Sequence, residues 1–598
     1  MSSVLPRGVR ARLSTPALID AAIATLAVVL IASPVLFTSD GFAPDFTNEL
    51  WLAGYQQHVI AAHLHPTLFL QSQQLGVFYP LFAFYGGTVF AATGAIAVVL
   101  GGSTVLAFDV AIVAAIAAAY GGLFWLARQL GVKGLLAHAP ALVFVTSAYY
   151  ITALYGKGAW AEFMAVSMLP LVLAASLRLL RGRLSVGPVV CLVAATTVFS
   201  GSHNITFLWG TTLAVLAVVV YWLFSGRSRE LPWRRIFAVA GLIALGIGLN
   251  GWFLLPDLAY AHNTNISSSV VPWEDTRLYN TFSEIFDPLR MRPSVAEMPG
   301  VYVQAPVLAL IWGLLAAPLS WRYRRFRVGV ATALIVLGGL LAVIMSSGAW
   351  SLLPTIYQQA QWAHRLQNYV ALAIAGLVLV GALALTRRAD SGRATRSDRA
   401  LELGLGLAVA FGVAVCAWQL WVPTTHIYEA HFSSYSNRAD ALTGPPTLLP
   451  QSWNAGTDYG DRILPVVETG TRSVLLDPAQ VHDNRLSASV SVPPGFQPFA
   501  TNIVGDPHLI HVGGGVRVLG RTSSQKNCNG GCWAGGQLVL QRTTNGSQPV
   551  PIELRAELSA PVVLGRITTA ASAALLLALA LAAAVRRRRR RLAAQPTA

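Results

Sequence analysis

Charge is what this sequence has least of. Only 11% of its 598 residues are Asp, Glu, Lys or Arg, while 54% are hydrophobic and the mean hydropathy is +0.56. Soluble domains carry about 25% charged residues, so a soluble globular chain is excluded and a polytopic membrane protein is indicated. Cysteine is scarce as well, at four residues. Cys191 and Cys416 sit in apolar runs as packing residues, and Cys528 and Cys532 lie in the polar stretch NCNGGCW. Zinc at that pair needs two further ligands, and none is near. A small disulfide fits if the stretch is extracytoplasmic. No G-x-G-x-x-G follows a strand, and P-loop and H-E-x-x-H motifs are lacking, as is any tandem repeat. Residues 38–101 contain no Lys or Arg at all, yet they hold Asp40, Asp45, Glu49, His58, His63 and His65.

The net charge of +16 is not a nucleic-acid signal. Its arginines fall in short clusters between apolar runs, as cytoplasmic loops require. Runs long enough to span a bilayer lie at 17–37, 104–127, 135–153, 161–179, 187–205, 206–224, 236–256, 304–320, 328–346, 368–386, 401–421 and 567–585. Every even-numbered run is followed by a basic cluster: Arg128 and Lys133, Arg178 to Arg183, Arg227 to Arg235, Arg322 to Arg327, Arg387 to Arg399, and the terminal arginines at 586–591. That alternation predicts about 12 transmembrane helices with both termini cytoplasmic, the last arginines acting as a stop and anionic-lipid anchor. The first run resembles a signal peptide without a convincing cleavage site and reads as a retained anchor. The Gly-rich stretch 84–101 must then re-enter or lie along the surface, because a full crossing would put the Arg178 and Arg227 clusters outside.

The predicted architecture has three parts. A transmembrane domain, 1–421, carries a large first outer loop at 38–103. An extracytoplasmic β-rich domain follows at 422–566, where short alternating stretches such as RLSASVSV and GQLVLQR are separated by turn residues, which suggests a small antiparallel sandwich. A final helix and Arg-rich tail occupy 567–598. The ionisable residues near span ends gather on the outer face, where polar groups at membrane depth are costly and are usually functional or paired. They include Lys157 and Glu162, His203 and Asn204, the stretch from Trp252 through Asp257, and His364 and Arg365.

Five segments together resemble one bacterial family: LGVFYPLFAFYGG at 75–87, YGKGAWAEFMAVSMLPLVL at 155–173, SGSHN at 200–204, GWFLLP at 251–256 and WAHRLQNY at 362–369. The family is labelled 6-pyruvoyl-tetrahydropterin synthase-related membrane protein, although its members look like GT-C glycosyltransferases. The resemblance covers about 15–390, with departures: Lys157 where the family has Arg, Gly86–Gly87 where it has a Pro pair, and Asp45-Phe-Thr-Asn-Glu49 for its early acidic motif. It implies a GT-C-like fold that moves a sugar from a polyprenyl-phosphate donor to a cell-envelope glycan or lipid acceptor on the outer face of a bacterial inner membrane.

Such chemistry needs a carboxylate to take the proton of the acceptor hydroxyl and cations to hold the leaving phosphate. Asp45 stands where the superfamily keeps its acidic residue and is the candidate base, with Glu49 one turn on to share or take the role. A helix cap is the plainer reading of Asp45. Arg365 opens a span on the outer side, against the charge rule, and is the candidate for the donor phosphate, or else an interfacial arginine. Lys157 is the second cation, or a loop lysine. Glu162 would orient Lys157 or bind a sugar hydroxyl. His203 and Asn204 would bind phosphate or sugar hydroxyls, or simply bond between helices. Tyr85 and His364 complete the candidate sugar and acceptor contacts. A divalent cation, Mg or Mn, stays open: no D-x-D occurs in the first loop, but Asp45 and Glu49 are possible ligands. Two other classes compete. A transporter or flippase of lipid-linked glycan would show matching halves, and none is visible. An envelope assembly factor without catalysis would have lost the carboxylate and cations.

Overall fold

A computed structural model describes residues 15–37, 44–72, 76–79, 81–156, 158–182, 184–225, 233–260, 307–321, 323–358, 363–421, most of 465–522, 537–593 and a few isolated positions. The chain begins with α1 (Thr15–Phe37) and α2 (Pro44–His63), then a small hairpin of β1 (Leu70–Ser72) and β2 (Gly76–Tyr79), then α3 (Gly87–Val99). Next come α4 (Thr104–Leu130), α5 (Ala139–Val145), α6 (Ala148–Ile151), α7 (Trp160–Arg181), α8 (Val186–Ser202), α9 (Asn204–Ser225), α10 (Trp233–Gly248) and α11 (Gly251–Tyr260). The bundle continues with α12 (Val307–Trp321), α13 (Arg324–Met345), α14 (Ser347–Ser351), α15 (Thr355–Gln358), α16 (Gln367–Asp390) and α17 (Arg396–Trp421), and the chain ends its described part in α18 (Ala560–Ala593).

Among the described residues seven helices are long and apolar enough to cross a membrane, or up to nine if each of two bent pairs is one span. The twelve apolar runs each centre on helix, but four of the apolar helices are short, so length does not establish a count of twelve. α3 has 13 residues, about 20 Å of helix, against a hydrocarbon core of about 30 Å.

Two expected spans are broken. The run at 135–153 divides into a 3₁₀ turn, α5, α6 and a π-helical turn at Thr152–Gly156, with a bend of 57°. The break falls at Thr146 and Ser147, where the Thr146 hydroxyl donates back to the Leu142 carbonyl at 2.7 Å. The run at 236–256 divides at residues 249–250, and α10 and α11 meet at 79°. Asn250, fully buried, turns its amide onto Thr197 O at 2.8 Å and Ser200 Oγ at 2.7 Å.

α18 packs against this second break. A Cβ on Gly251 would lie 2.9 Å from Gly565 O, and one on Gly565 would lie 2.4 Å from Gly251 O, so the two backbones touch as small-residue crossings in membranes do. The Thr569 hydroxyl accepts from Trp252 N at 2.9 Å. This satisfies a first-turn N–H of α11 that has no partner within its own helix.

The core is built around α7, which packs on α4 and α8. Trp160 is fully buried, stacked on Phe108 at 4.3 Å and 5.5 Å from Phe90, and Phe108 meets Phe46 of α2 edge-on at 5.2 Å. Gly158, just before α7, has a φ of +73°, and a Cβ there would sit 2.2 Å from Phe46 N. Only glycine allows this approach of α2 to the start of α7. At the other end of α4 a second polar group fastens α1: Asp20 meets Arg128 at 2.6 Å and His138 at 2.9 Å, and His138 bonds Tyr120 at 2.7 Å.

Among the described residues the C-terminal β region has eight strands: β3 (Ser473–Val474), β4 (Val481–His482), β5 (Arg485–Val490), β6 (Phe499–Val504), β7 (Ile510–Gly514), β8 (Val516–Arg521), β9 (Gln537–Arg542) and β10 (Val550–Ala556). They form two four-stranded sheets, ordered β4-β5-β10-β7 and β3-β6-β9-β8. These strands pair antiparallel except for β3 with β6, which is parallel, and a lone parallel bridge joins Val466 to Arg521, a departure from the expected all-antiparallel domain. The glycines at 513–515 pass the chain from one sheet to the other, with Gly514 at φ +84° and a Cβ there 2.3 Å from Pro551 O. β2 of the first loop packs on β6. Cys528 and Cys532 lie outside the described residues.

Thr569→Val should leave Trp252 N–H without its acceptor and cost about 0.5–2 kcal/mol. The expected result is a thermal midpoint in detergent lowered by a few degrees, with Thr569→Ser restoring it; equal midpoints for Val and wild type would show the contact to be idle.

Candidate active site

Helix ends meet at one end of the bundle, and their unsatisfied backbone groups organise the polar side chains there. The first is the start of α7. Glu49, from α2 and only 4% exposed, places Oε2 2.7 Å from Ala161 N and so supplies the cap that α7 lacks in its own sequence. Its other oxygen accepts from the Tyr85 hydroxyl at 2.5 Å. The partial positive charge of a helix N-terminus favours a carboxylate at this spot. Tyr85 is delivered by the turn at 84–86, where Gly86 has a φ of +58° and a Cβ would lie 2.6 Å from the Phe90 ring. The Gly86–Gly87 departure noted in the sequence thus serves a close approach: a Cβ on Gly87 would be 2.7 Å from Phe82 O.

Glu162, third residue of α7, is 2% exposed. Its Oε2 lies 3.5 Å from Arg365 Nε and makes no hydrogen bond among the described residues. Arg365 stands on the 3₁₀ turn Ala363–Leu366 that leads into α16. Glu162 thus has Arg365, 203 residues away in the sequence, as a neighbour. Its expected partner Lys157, five residues away, lies outside the described residues. His364 is 3% exposed, with its ring edge-on to Tyr149 at 5.8 Å.

The second helix start is that of α9. His203 precedes it, and its Nδ1 accepts from Thr206 N at 3.2 Å and lies 2.8 Å from Thr206 Oγ1. An acceptor Nδ1 places the proton of the neutral ring on Nε2, an assignment made from the hydrogen-bond network. The Tyr85 ring meets His203 edge-on at 6.1 Å, and Tyr369 of α16 donates to Thr206 O at 2.8 Å. Asn204 donates Nδ2 to Asp257 Oδ2 at 2.6 Å.

The structure therefore brings together Glu49, Tyr85, Glu162, His203, Asn204 and Arg365. Asp45 lies in the first turn of α2, one turn before Glu49, and its side chain falls outside the described residues. His63 and His65 are exposed at the far end of α2, their rings stacked at 6.0 Å, and take no part. Asp257 was noted in the sequence without a role; the signal available was an isolated carboxylate in an apolar run. The pairing of Glu49 with a backbone N–H of α7 had no sequence signal. Among the described residues no group of three or more His, Cys, Asp or Glu is placed to hold a metal ion.

No family model matches the chain, and no curated protein matches it. Among solved structures, that of the arabinofuranosyltransferase AftD from Mycobacteria is similar at a TM-score of 0.43 and 15% identity, covering 88% of this chain and 40% of that one. Two classes of a mutant of the same protein give TM-scores of 0.40 and 0.42 at 18% and 19% identity, covering 69% of this chain and 30% of theirs. The chain thus spans less than half the length of these structures, and a likeness at this level decides neither fold nor chemistry.

Breaking a buried ion pair from one side costs more than removing both charges. Glu162→Gln and Arg365→Met should each destabilise the protein by about 3–5 kcal/mol, and the double variant by clearly less than the sum. Additive losses in a double-mutant cycle of denaturation in detergent would show that the two side chains do not interact.

Proposed function

We propose that the protein is a GT-C-type membrane glycosyltransferase that transfers a sugar from a polyprenyl-phosphate donor to a cell-envelope glycan or lipid acceptor on the outer face of a bacterial inner membrane. The observation that carries this reading is the joining, at the start of α7, of the α2 carboxylate Glu49 with the buried pair Glu162 and Arg365. A cation held beside a carboxylate at a helix N-terminus suits a substrate with one phosphate and one sugar.

In this reading Asp45 is the general base. It takes the proton of the acceptor hydroxyl as that oxygen bonds to the anomeric carbon. The bond between that carbon and the phosphate oxygen breaks, and its electron pair leaves with the polyprenyl phosphate. Arg365, with Lys157, meets the charge that develops there, the guanidinium fork matching phosphate oxygens. Glu162 orients Arg365. Glu49 already accepts two hydrogen bonds, which fits it to hold α2, and hence Asp45, against α7. His203 offers Nε2–H to a phosphate or hydroxyl oxygen, and His364 and Tyr85 border the sugar. The β domain lies on the outer side with the first loop, both chain ends face the cytoplasm, and the Cys528–Cys532 disulfide closes a loop of that domain.

The test is radiolabelled sugar transfer in membranes supplied with a pool of polyprenyl-phosphate sugars. Wild type should make product, and Asp45→Asn and Arg365→Ala should each lower the rate by at least 100-fold, the scale of a lost general base or charge clamp, while the protein stays in the membrane. Undiminished transfer by Asp45→Asn would remove it as the base. No product with any donor, from folded protein, would favour a flippase or an assembly factor.

A further inference from the structure

Asp257 is a carboxylate without a role in the reaction as written. It lies near the end of α11, half-buried, with Oδ2 accepting from Asn204 Nδ2 at 2.6 Å. The same Nδ2 faces the Phe84 carbonyl at 3.5 Å. Both neighbours are acceptors, so the amide nitrogen must point at them and Asn204 Oδ1 must point away. That oxygen is buried and makes no hydrogen bond among the described residues. The spot therefore holds the Asp257 carboxyl group beside the Asn204 carbonyl, and a ligand satisfies the Asn204 oxygen only by bringing a donor.

This restricts the ligand. A phosphate brings acceptors and few donors, so it leaves the Asn204 oxygen unsatisfied. A divalent cation takes six or more oxygens, several of them charged, and no such group exists among the described residues. A sugar brings hydroxyls, each with one O–H to give. Place decides which sugar. Asn204 follows His203, whose ring meets Tyr85; Tyr85 bonds Glu49; Glu49 caps α7; and Glu162 on α7 holds Arg365. The cation suited to the donor phosphate stands at one end of this string, and the pair of Asp257 and Asn204 at the other. α11 is pinned in this position through Trp252, whose backbone N–H bonds Thr569 and whose indole N–H bonds Thr88 at 3.1 Å.

We propose that Asp257 and Asn204 form a subsite that binds two hydroxyls of the acceptor glycan. The acceptor role rests on the glycosyltransferase reading above; the binding of sugar does not.

Two measurements on full-length protein in detergent test it. The first is saturation-transfer NMR with a panel of methyl pentosides and hexosides. Wild type should give a signal with at least one of them, lowered at least tenfold by Asp257→Ala and by Asn204→Ala. Asp257→Asn retains the side-chain volume and carries the test if Asp257→Ala does not elute as folded protein. The second is steady-state transfer, in which Asp257→Asn should raise the acceptor KM at least tenfold and leave donor hydrolysis without acceptor unchanged. Glycoside signals equal in wild type and both Asp257 variants, or a donor hydrolysis that falls with transfer, would overturn the subsite. Wild type that binds a glycoside through Asp257 but transfers nothing would remove the enzyme reading and keep the sugar site. Wild type that transfers but binds no glycoside through Asp257 would do the reverse.

Discussion

The helix start inside a membrane protein is the constraint on which this structure turns. The first four N–H groups of any helix lack partners in that helix, and within hydrocarbon depth no water is at hand to bond them. At one end of the bundle this chain answers three helix starts with polar side chains, two of them from elsewhere in the sequence and one from the residue just before the helix. Glu49 of α2 takes Ala161 N of α7, His203 takes Thr206 N of α9, and Thr569 of α18 takes Trp252 N of α11. The candidate site is the sum of these caps. A residue that closes a helix also holds a charge or an acceptor at a fixed place, which is what a site needs.

The same constraint explains the two broken spans. Asn250 competes with the backbone of its own helix and gives its amide to α8. α11 then runs at 79° to α10 and brings Asp257 to Asn204. An unbroken helix across 236–256 would carry that carboxylate along the same axis and away from α9. The last helix, mostly exposed and tied to the bundle at a Gly–Gly contact, supports the break from behind. Distant parts of the chain, at 49, 85, 161, 203, 257, 365 and 569, thus depend on one another through backbone groups more than through charge.

Much of this was legible beforehand. Apolar runs located the helices because burial in lipid leaves composition little freedom. The short α3 follows from a Gly-rich run bounded by Gly86 and by the glycines at 101–102. The alternating stretches near the C-terminus announced strands, and the candidates Glu49, Tyr85, Glu162, His203, Asn204 and Arg365 do converge. Less legible was who meets whom. Glu162 stands beside Arg365, 203 residues on, and the glycines at 513–515 carry the chain between two sheets.

What the sequence by itself determined is the membrane character, the position of most helices, the β region and the set of polar residues at one face. Each follows from hydropathy and charge read along the chain, which are local properties. Only the tertiary structure decided the partners: Glu49 as the cap of α7, Arg365 beside Glu162, Asp257 against Asn204, and Thr569 under α11. The reason is physical. A cap is a contact between a backbone N–H, which every residue but proline carries, and a side chain that can lie far off in the sequence, 112 residues for Glu49 and 317 for Thr569. No pattern in the sequence marks which of the many identical backbone groups will need it.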